Sequence, residues 1–337
     1  MKRIVLAGAM LPLLFAGVAC AADTINASGA TFPAPIYQKW FEEYKAKTGV
    51  QVNYQAVGSG AGIKALTEGT VDFAASDVPM TDAQLGGLKI KALHFPTVLG
   101  AVVLSYNVPG VTGDLTFSGD TIAGIFMGKI TKWNDPKIKA DNPQVNLPAK
   151  DNDIVVVHRS DSSGTSFIFT DFLSKASADW KSKVGAAASV QWPVGLGGNG
   201  NAGVAGLVKQ TPGSIGYVEL IYAVQQKMNY ASVKNAAGKV VKPSFEGVTA
   251  AAAGMKEMPA DFRVSITNGP GATTYPISSF TWMLIPGQIA DATKKKAITD
   301  FLKWMLADGQ KEAQGLSYAP LPKAVVDKEM KQIALIK

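Results

Sequence analysis

The sequence predicts an α/β protein folded as two lobes, and three observations carry that prediction. Strand-like and helix-like segments alternate from Ala22 onward, as they do in a sheet with helical crossovers. Two long stretches rich in β-branched residues, "FPTVLGAVVLSYNVPG" and "TTYPISSFTWMLIPG", lie far apart in the chain. Their positions are those of paired crossings between two domains. The 337 residues, 47% hydrophobic and 18% charged, are enough for two cores, and no long segment has a disordered composition.

The chain begins "MKRIVLAGAMLPLLFAGVACAADT". Lys2 and Arg3, apolar residues 4–18 and the small-residue site Ala19-Cys20-Ala21 make the three parts of a secretory signal peptide, with cleavage expected between Ala21 and Ala22. The apolar run is too short for a good membrane span. A rival reading lipidates Cys20, but Gly17 stands where a lipobox prefers leucine. Cleavage removes Lys2 and Arg3 and no acid, so the formal charge falls from +7 to +5. It also removes the only cysteine, which excludes a disulfide, a cysteine nucleophile and a thiolate metal site from the mature chain. The excess positive charge suits anionic partners, yet is also what an ordinary solvated surface carries.

In "PIYQKWFEEYKAKTG" one helical stripe holds Ile36, Trp40, Phe41 and Tyr44, and Gly49 stops the helix. "VQVNYQAV" alternates as a strand does, "GSGAGIKALTEG" turns into a short helix ending at Gly69, and "TVDFAASDVPM" is a strand followed by a loop. Thr81 and Asp82 cap the next helix. After the first crossing, "DIVVVH" is a strand and "SFIFTDFLSKA" opens a helix with Phe167, Phe169 and Phe172 available for packing. "ATKKKAITDFLKWMLADGQKEAQG" reads as an amphipathic helix that closes the first domain. The expected organisation is a signal peptide over 1–21, a discontinuous lobe I over 22–98 plus 276–337, and lobe II over 99–275.

Between that strand and helix lies "RSDSSGT", with Arg159, Asp161, Ser162, Ser163 and Thr165 crowded around Gly164. A helix start presents unpaired N–H groups and a partial positive charge. Hydroxyls add donors, Gly164 admits a ligand to the backbone, and Arg159 adds a bidentate cation. These are the parts of an oxyanion cage; a plain helix cap with a surface Arg159–Asp161 pair does not need so many donors. "ASGATFPAPIYQKW", with Thr31, and "VGSGAGIKAL", with Ser59, repeat the turn-into-helix design ahead of two other helices. Three such turns, spread over both expected lobes, suit a ligand held between them. Asp77, in "FAASDVPM", reads from the residues alone as a loop aspartate capping the next turn. Facing an oxyanion it would repel it, unless the anion carried a proton whose hydrogen bond Asp77 could accept. Monohydrogen phosphate has such a proton and sulfate at neutral pH does not.

Other chemistries fit less well. Gly198, Gly200 and Gly203 spell G-x-G-x-x-G, but deep in the second lobe after a strand-like "SVQW" rather than opening a dinucleotide fold, so a glycine-rich turn before a helix is expected. Neither Ser59 nor Ser163 sits in G-x-S-x-G. Only two histidines, His94 and His158, could serve as the base or ligand that hydrolases and metalloenzymes usually need. Strand alternation turns His158 away from whatever Arg159 contacts. No P-loop and no phosphatase-like metal cluster can be assembled.

Taken together, "GATFPAPIYQKW", "VNYQAVGSGAGIK", "VDFAASDVPM", "FPTVLGAVVL", "RSDSSGTSFIFTDFL", "GLGGNGNAGVAG" and "GSIGYVE" closely resemble the periplasmic phosphate-binding proteins of bacterial ABC phosphate uptake. The resemblance spans essentially the whole mature chain. It implies a type II periplasmic binding protein with two α/β lobes, a two-strand hinge and a cleft that closes on dehydrated phosphate. It implies ligand contacts from Thr31, Phe32 (through its backbone), Ser59 and Asp77 on the first lobe, and from Arg159, Ser163, Gly164 and Thr165 on the second. Asp161 would hold Arg159 by a salt bridge. The family's second turn often reads Gly-Ser-Ser-Gly, whereas here it is "GSGAG", which removes one neighbouring hydroxyl. The implied protein is a periplasmic monomer with no cofactor, no metal and no catalysis, delivering phosphate to an inner-membrane ABC permease. A receptor for another tetrahedral oxyanion and a secreted phosphoesterase are the alternatives.

Overall fold

The computed structural model describes residues 24–111, 113–150 and 152–337. The signal peptide, Cys20 and the Ala21/Ala22 cleavage site lie outside the described residues.

One mixed sheet runs through both halves of the molecule. At one end Gln51–Ala56, Thr24–Gly29 and Phe73–Ser76 pair in parallel; at the other end Ser214–Glu219, Val155–Arg159 and Leu196–Gly198 do the same. Two antiparallel strands join these ends. Ala92–Asn107 and Ser278–Pro286 are the cores of the two β-branched stretches, and they pair with each other from Ala92↔Pro286 to Ala101↔Ser278. Beyond Ala101 the long strand changes partner and pairs Val102 with Glu219. The two connections run side by side there: Val102 N donates to Ile277 O at 2.9 Å and Tyr275 Oη to Val102 O at 2.8 Å. The molecule is a two-lobed α/β protein with a two-strand hinge.

Each half has its own aromatic core. In the first, helix Ala34–Thr48 buries the stripe Ile36, Trp40, Phe41 and Tyr44 and ends at Gly49, whose φ of 80° is the left-handed conformation glycine adopts freely. Trp40 stacks on Tyr37 and donates Nε1–H to Gly309 O at 2.7 Å. In the second, Phe126, Phe169, Trp192 and Tyr217 pack ring on ring, with Phe169 and Tyr217 stacked at 4.4 Å. Each fully buried ring among these is worth about 3–5 kcal/mol against alanine; Trp192 is partly buried.

Several local expectations need correction. "SVQW" is irregular; the strand is Leu196–Gly198, within the glycine-rich run itself. The C-terminal amphipathic helix spans only Ala292–Ala307, because Gly309 is held by Trp40 and the chain tightens into 3-10 turns over Gly309–Glu312 and Gln314–Leu316. A further helix, Lys323–Ile333, follows. In helix Gly164–Ala176 the packing face is Ile168, Phe169 and Phe172, while Phe167 is only half-buried.

Candidate functional site

All three turn-into-helix segments meet at the C-terminal ends of the parallel strands, the place where open α/β sheets bind ligands. Ser59 is the first residue of helix Ser59–Glu68 and Gly164 the first of helix Gly164–Ala176. Gly164 N donates to Ser59 Oγ at 3.1 Å across the two halves, and Gly60 N donates to Ser162 O at 3.0 Å. No side chain fits at Gly164: a Cβ there would lie 2.5 Å from Ser59 Oγ and 2.8 Å from Asp77 N.

On the second half, strand Val155–Arg159 delivers a buried arginine to this junction. Arg159 Nε donates to Asp161 Oδ1 at 2.7 Å and a terminal nitrogen to Oδ2 at 2.5 Å, a bidentate pair. Its other terminal nitrogen donates to Thr165 Oγ1 at 3.1 Å. Asp161 Oδ1 also accepts from Gly200 N at 3.1 Å. Burial raises the Asp161 carboxyl, but the Arg159 hydrogen bonds and charge outweigh it and hold the group below the usual carboxylate range. Asp161 thus stays ionised and fixes the guanidinium. Ser163 is the N-cap, its Oγ accepting from Ser166 N at 3.0 Å. Tyr217 Oη ties the strand to the helix, accepting from Arg159 N at 3.1 Å and bonding Ser166 Oγ at 2.6 Å.

On the first half, Asp77 is buried behind Ser59. Thr281 Oγ1 donates to Asp77 Oδ1 at 2.8 Å, Asp77 N donates to Ser59 Oγ at 3.1 Å, and Ser59 Oγ lies 3.4 Å from Asp77 Oδ2. Desolvation pushes the Asp77 carboxyl up to about 7, against the opposing pull of Thr281, Arg159 and Ser59. Thr31 is buried; its carbonyl accepts from Tyr222 Oη at 2.5 Å and its hydroxyl from Asn201. Phe32 is fully buried, its carbonyl accepting from Tyr318 Oη at 2.6 Å.

The expected site residues therefore come together in one enclosed junction. A fourth helix start joins them: helix Gly200–Gln210 brings Asn201, which sequence reading passed over as part of a glycine-rich turn. Gly200 adopts φ 65° beside Thr31, which accounts for glycine there. The histidines lie elsewhere. His158 stacks on Trp192 at 4.9 Å, and His94 is buried with Nε2 accepting from Met80 N at 3.0 Å. Burial and the nearby Arg263 lower His94 to about 4. Among the described residues no three His, Cys, Asp or Glu side chains gather as a metal site would need.

A hinge of two antiparallel strands and a site closed between lobes by helix starts define a two-lobed solute-binding protein, and residues 16–309 match the family model described as the PBP superfamily domain. The chain is 47% identical over 304 residues to the Phosphate-binding protein PstS of Xylella fastidiosa (strain Temecula1), covering 90% of this chain and 82% of that one. It is 44% identical to the protein of the same name from Pasteurella multocida, covering 95% and 93%. The chain belongs to the PstS family of phosphate-binding proteins. Its fold is also similar to the crystal structure of a phosphate-binding protein from Stenotrophomonas maltophilia, at TM-score 0.69 and 23% identity over 92% of this chain and 94% of that one. A high affinity periplasmic phosphate-binding protein, PfluDING, solved with phosphate, gives TM-score 0.72 at 23% identity over 91% and 93%.

Proposed function

We propose that this protein captures inorganic phosphate in the periplasm, as mono- or dihydrogen phosphate, and delivers it to an inner-membrane ABC permease without chemical change. The observation that carries the reading is the pairing of opposites in one buried junction: a fixed Arg159 on one side and Asp77, which burial pushes up to about 7, on the other. Such a site attracts an anion and then tests it for a proton. Thr31, Phe32 (through its backbone), Ser59, Ser163, Gly164 and Thr165 supply donors, Arg159 the charge, Asp77 the acceptor, and Asp161 aims the arginine. An oxyanion with a proton satisfies Asp77; one without leaves the carboxylate facing it uncompensated.

Residues 22–98 with 276–337 form lobe I in this reading and 99–275 lobe II, with a monomer as the working unit. The lobes close over the anion, and the permease reads the closed form. Family membership supports this assignment, as does the convergence of helix starts from both halves. Calorimetric titration with phosphate, arsenate and sulfate across pH tests it. Tight phosphate and arsenate binding with little sulfate binding at neutral pH is expected, while equal sulfate affinity overturns the role of Asp77. Turnover of a phosphomonoester would overturn the assignment as a pure binding protein.

A further inference from the structure

Asn201 is buried, and every hydrogen-bonding group of its side chain is engaged. Its Oδ1 accepts from Glu219 N at 2.9 Å. Its Nδ2 donates to Thr31 Oγ1 at 2.8 Å and to Thr165 Oγ1 at 3.1 Å. The Glu219 amide can only donate, so the side-chain oxygen must face it and the NH2 group must face the two threonines. The amide cannot be flipped without setting N–H against N–H.

That orientation has an effect on the hydroxyls. A threonine hydroxyl has one proton to give and two lone pairs to receive with. Thr31 Oγ1 receives twice, from Asn201 Nδ2 and from Asn201 N at 3.2 Å. Thr165 Oγ1 also receives twice, from Asn201 Nδ2 and from Arg159 at 3.1 Å. Both hydroxyls are filled as acceptors, so each can take part in a further bond only as a donor. Neither proton is given to another described residue. Ser59 Oγ also receives twice, from Asp77 N and Gly164 N, but differs in that its own proton is directed at Asp77 Oδ2, 3.4 Å away.

We infer that Asn201 is a positioning residue that fixes the hydroxyls of Thr31 and Thr165, one from each half, as obligate donors to the bound anion. Ordinary hydroxyls adapt, donating to an anion or accepting from a neutral or cationic ligand. With their lone pairs taken, these two cannot. Asp77 then remains the side chain set to accept a proton of the anion. The inference rests on the phosphate reading above and extends it to the origin of anion selectivity.

The test is calorimetric titration of the full chain with inorganic phosphate, with the ligand-free thermal midpoint measured alongside. Asn201→Asp is nearly isosteric but turns a donor group into an acceptor, drawing both hydroxyl protons away from the anion. It should weaken phosphate binding by about 1,000-fold, and Asn201→Ala by about 100-fold, the loss of two donors to a charged group. The discriminating measurement repeats Asn201→Ala in a Thr31→Val/Thr165→Val background, where the substitution should change affinity by less than about threefold because no hydroxyl remains to be set. An equal loss in both backgrounds makes Asn201 merely structural and overturns the inference. So does an Asn201→Asp variant that binds as the wild type does. A wild type that gives no heat with phosphate overturns both this inference and the phosphate reading, whereas a binding wild type with unaffected variants overturns this inference alone.

Discussion

The two faces of the junction are built on opposite electrostatic plans. On the second half, Arg159 and Asp161 form a bidentate pair in which each charge is matched, and the carboxyl stays below its ordinary range. On the first half, Asp77 has the hydroxyls of Thr281 and Ser59 around its carboxyl and no salt-bridge partner among the described residues, and that carboxyl is pushed up to about 7. One face is a carboxylate held ionised by its arginine. The other is poised to change state as pH passes about 7. A strong attractor and a weak, titratable examiner do different jobs, and only their combination separates anions that share a shape.

The most damaging change should fall on the attractor. Arg159→Ala removes the cation and leaves the half-buried Asp161 without its ion-pair partner, so phosphate affinity should drop by about 1,000-fold, measured by calorimetry. An unchanged affinity would move the site elsewhere. Next comes the seam between the faces: Gly164→Ala places a Cβ 2.5 Å from Ser59 Oγ and 2.8 Å from the Asp77 backbone. Holding the halves apart should weaken phosphate by about 100-fold while leaving the thermal midpoint of the ligand-free protein near that of the wild type.

The examiner should control selectivity more than affinity. Asp77→Asn should raise sulfate binding relative to phosphate by about tenfold at neutral pH. In the wild type, sulfate affinity should rise as pH falls through about 7, because a protonated Asp77 can donate to sulfate. The same group leaves a mark on stability. Its carboxyl titrates near 7 when folded and near about 4 when unfolded, so between those values the folded state holds the extra proton. The Asp77 contribution is therefore present at low pH and lost as pH rises from about 4 to about 7. Asp77→Asn should flatten that part of the thermal-midpoint profile of ligand-free protein. The smallest effect sharpens the comparison. Asp161→Asn removes a negative charge near the anion but loosens Arg159, and a drop of about threefold in affinity is expected. A rise would mean that Asp161 mainly neutralises the arginine rather than aims it.

What the residues revealed follows from how local each feature is. "RSDSSGT" announces its strand, turn and helix within a few positions, and the turns at Thr31 and Ser59 do the same, so their convergence could be anticipated. Helix Ala34–Thr48 shows in its apolar stripe and terminal glycine. Asn201 gave no such signal, because its partners Thr31 and Thr165 lie 170 and 36 positions away. Tyr222 and Tyr318, which hold the Thr31 and Phe32 carbonyls, are hidden for the same reason, at separations of 191 and 286. Asp77 reads as a loop aspartate capping a turn until its burial is known, and burial is a property of the whole fold; family resemblance alone pointed to it. The early end of helix Ala292–Ala307 likewise depends on Trp40, far upstream in the chain.

Strand Ser278–Pro286 lies between Phe73–Ser76 and Ala92–Asn107, pairing Trp282 with Ser76 and Ser278 with Ala101. The first half of the molecule therefore lacks the middle of its sheet until Pro286, late in the chain, has been made. The second half needs nothing later than Ser214–Glu219 to join Val155–Arg159 to the far end of the long strand. In vectorial synthesis, where the chain appears from its N-terminus, the sheet of the half that begins first is the last to become whole.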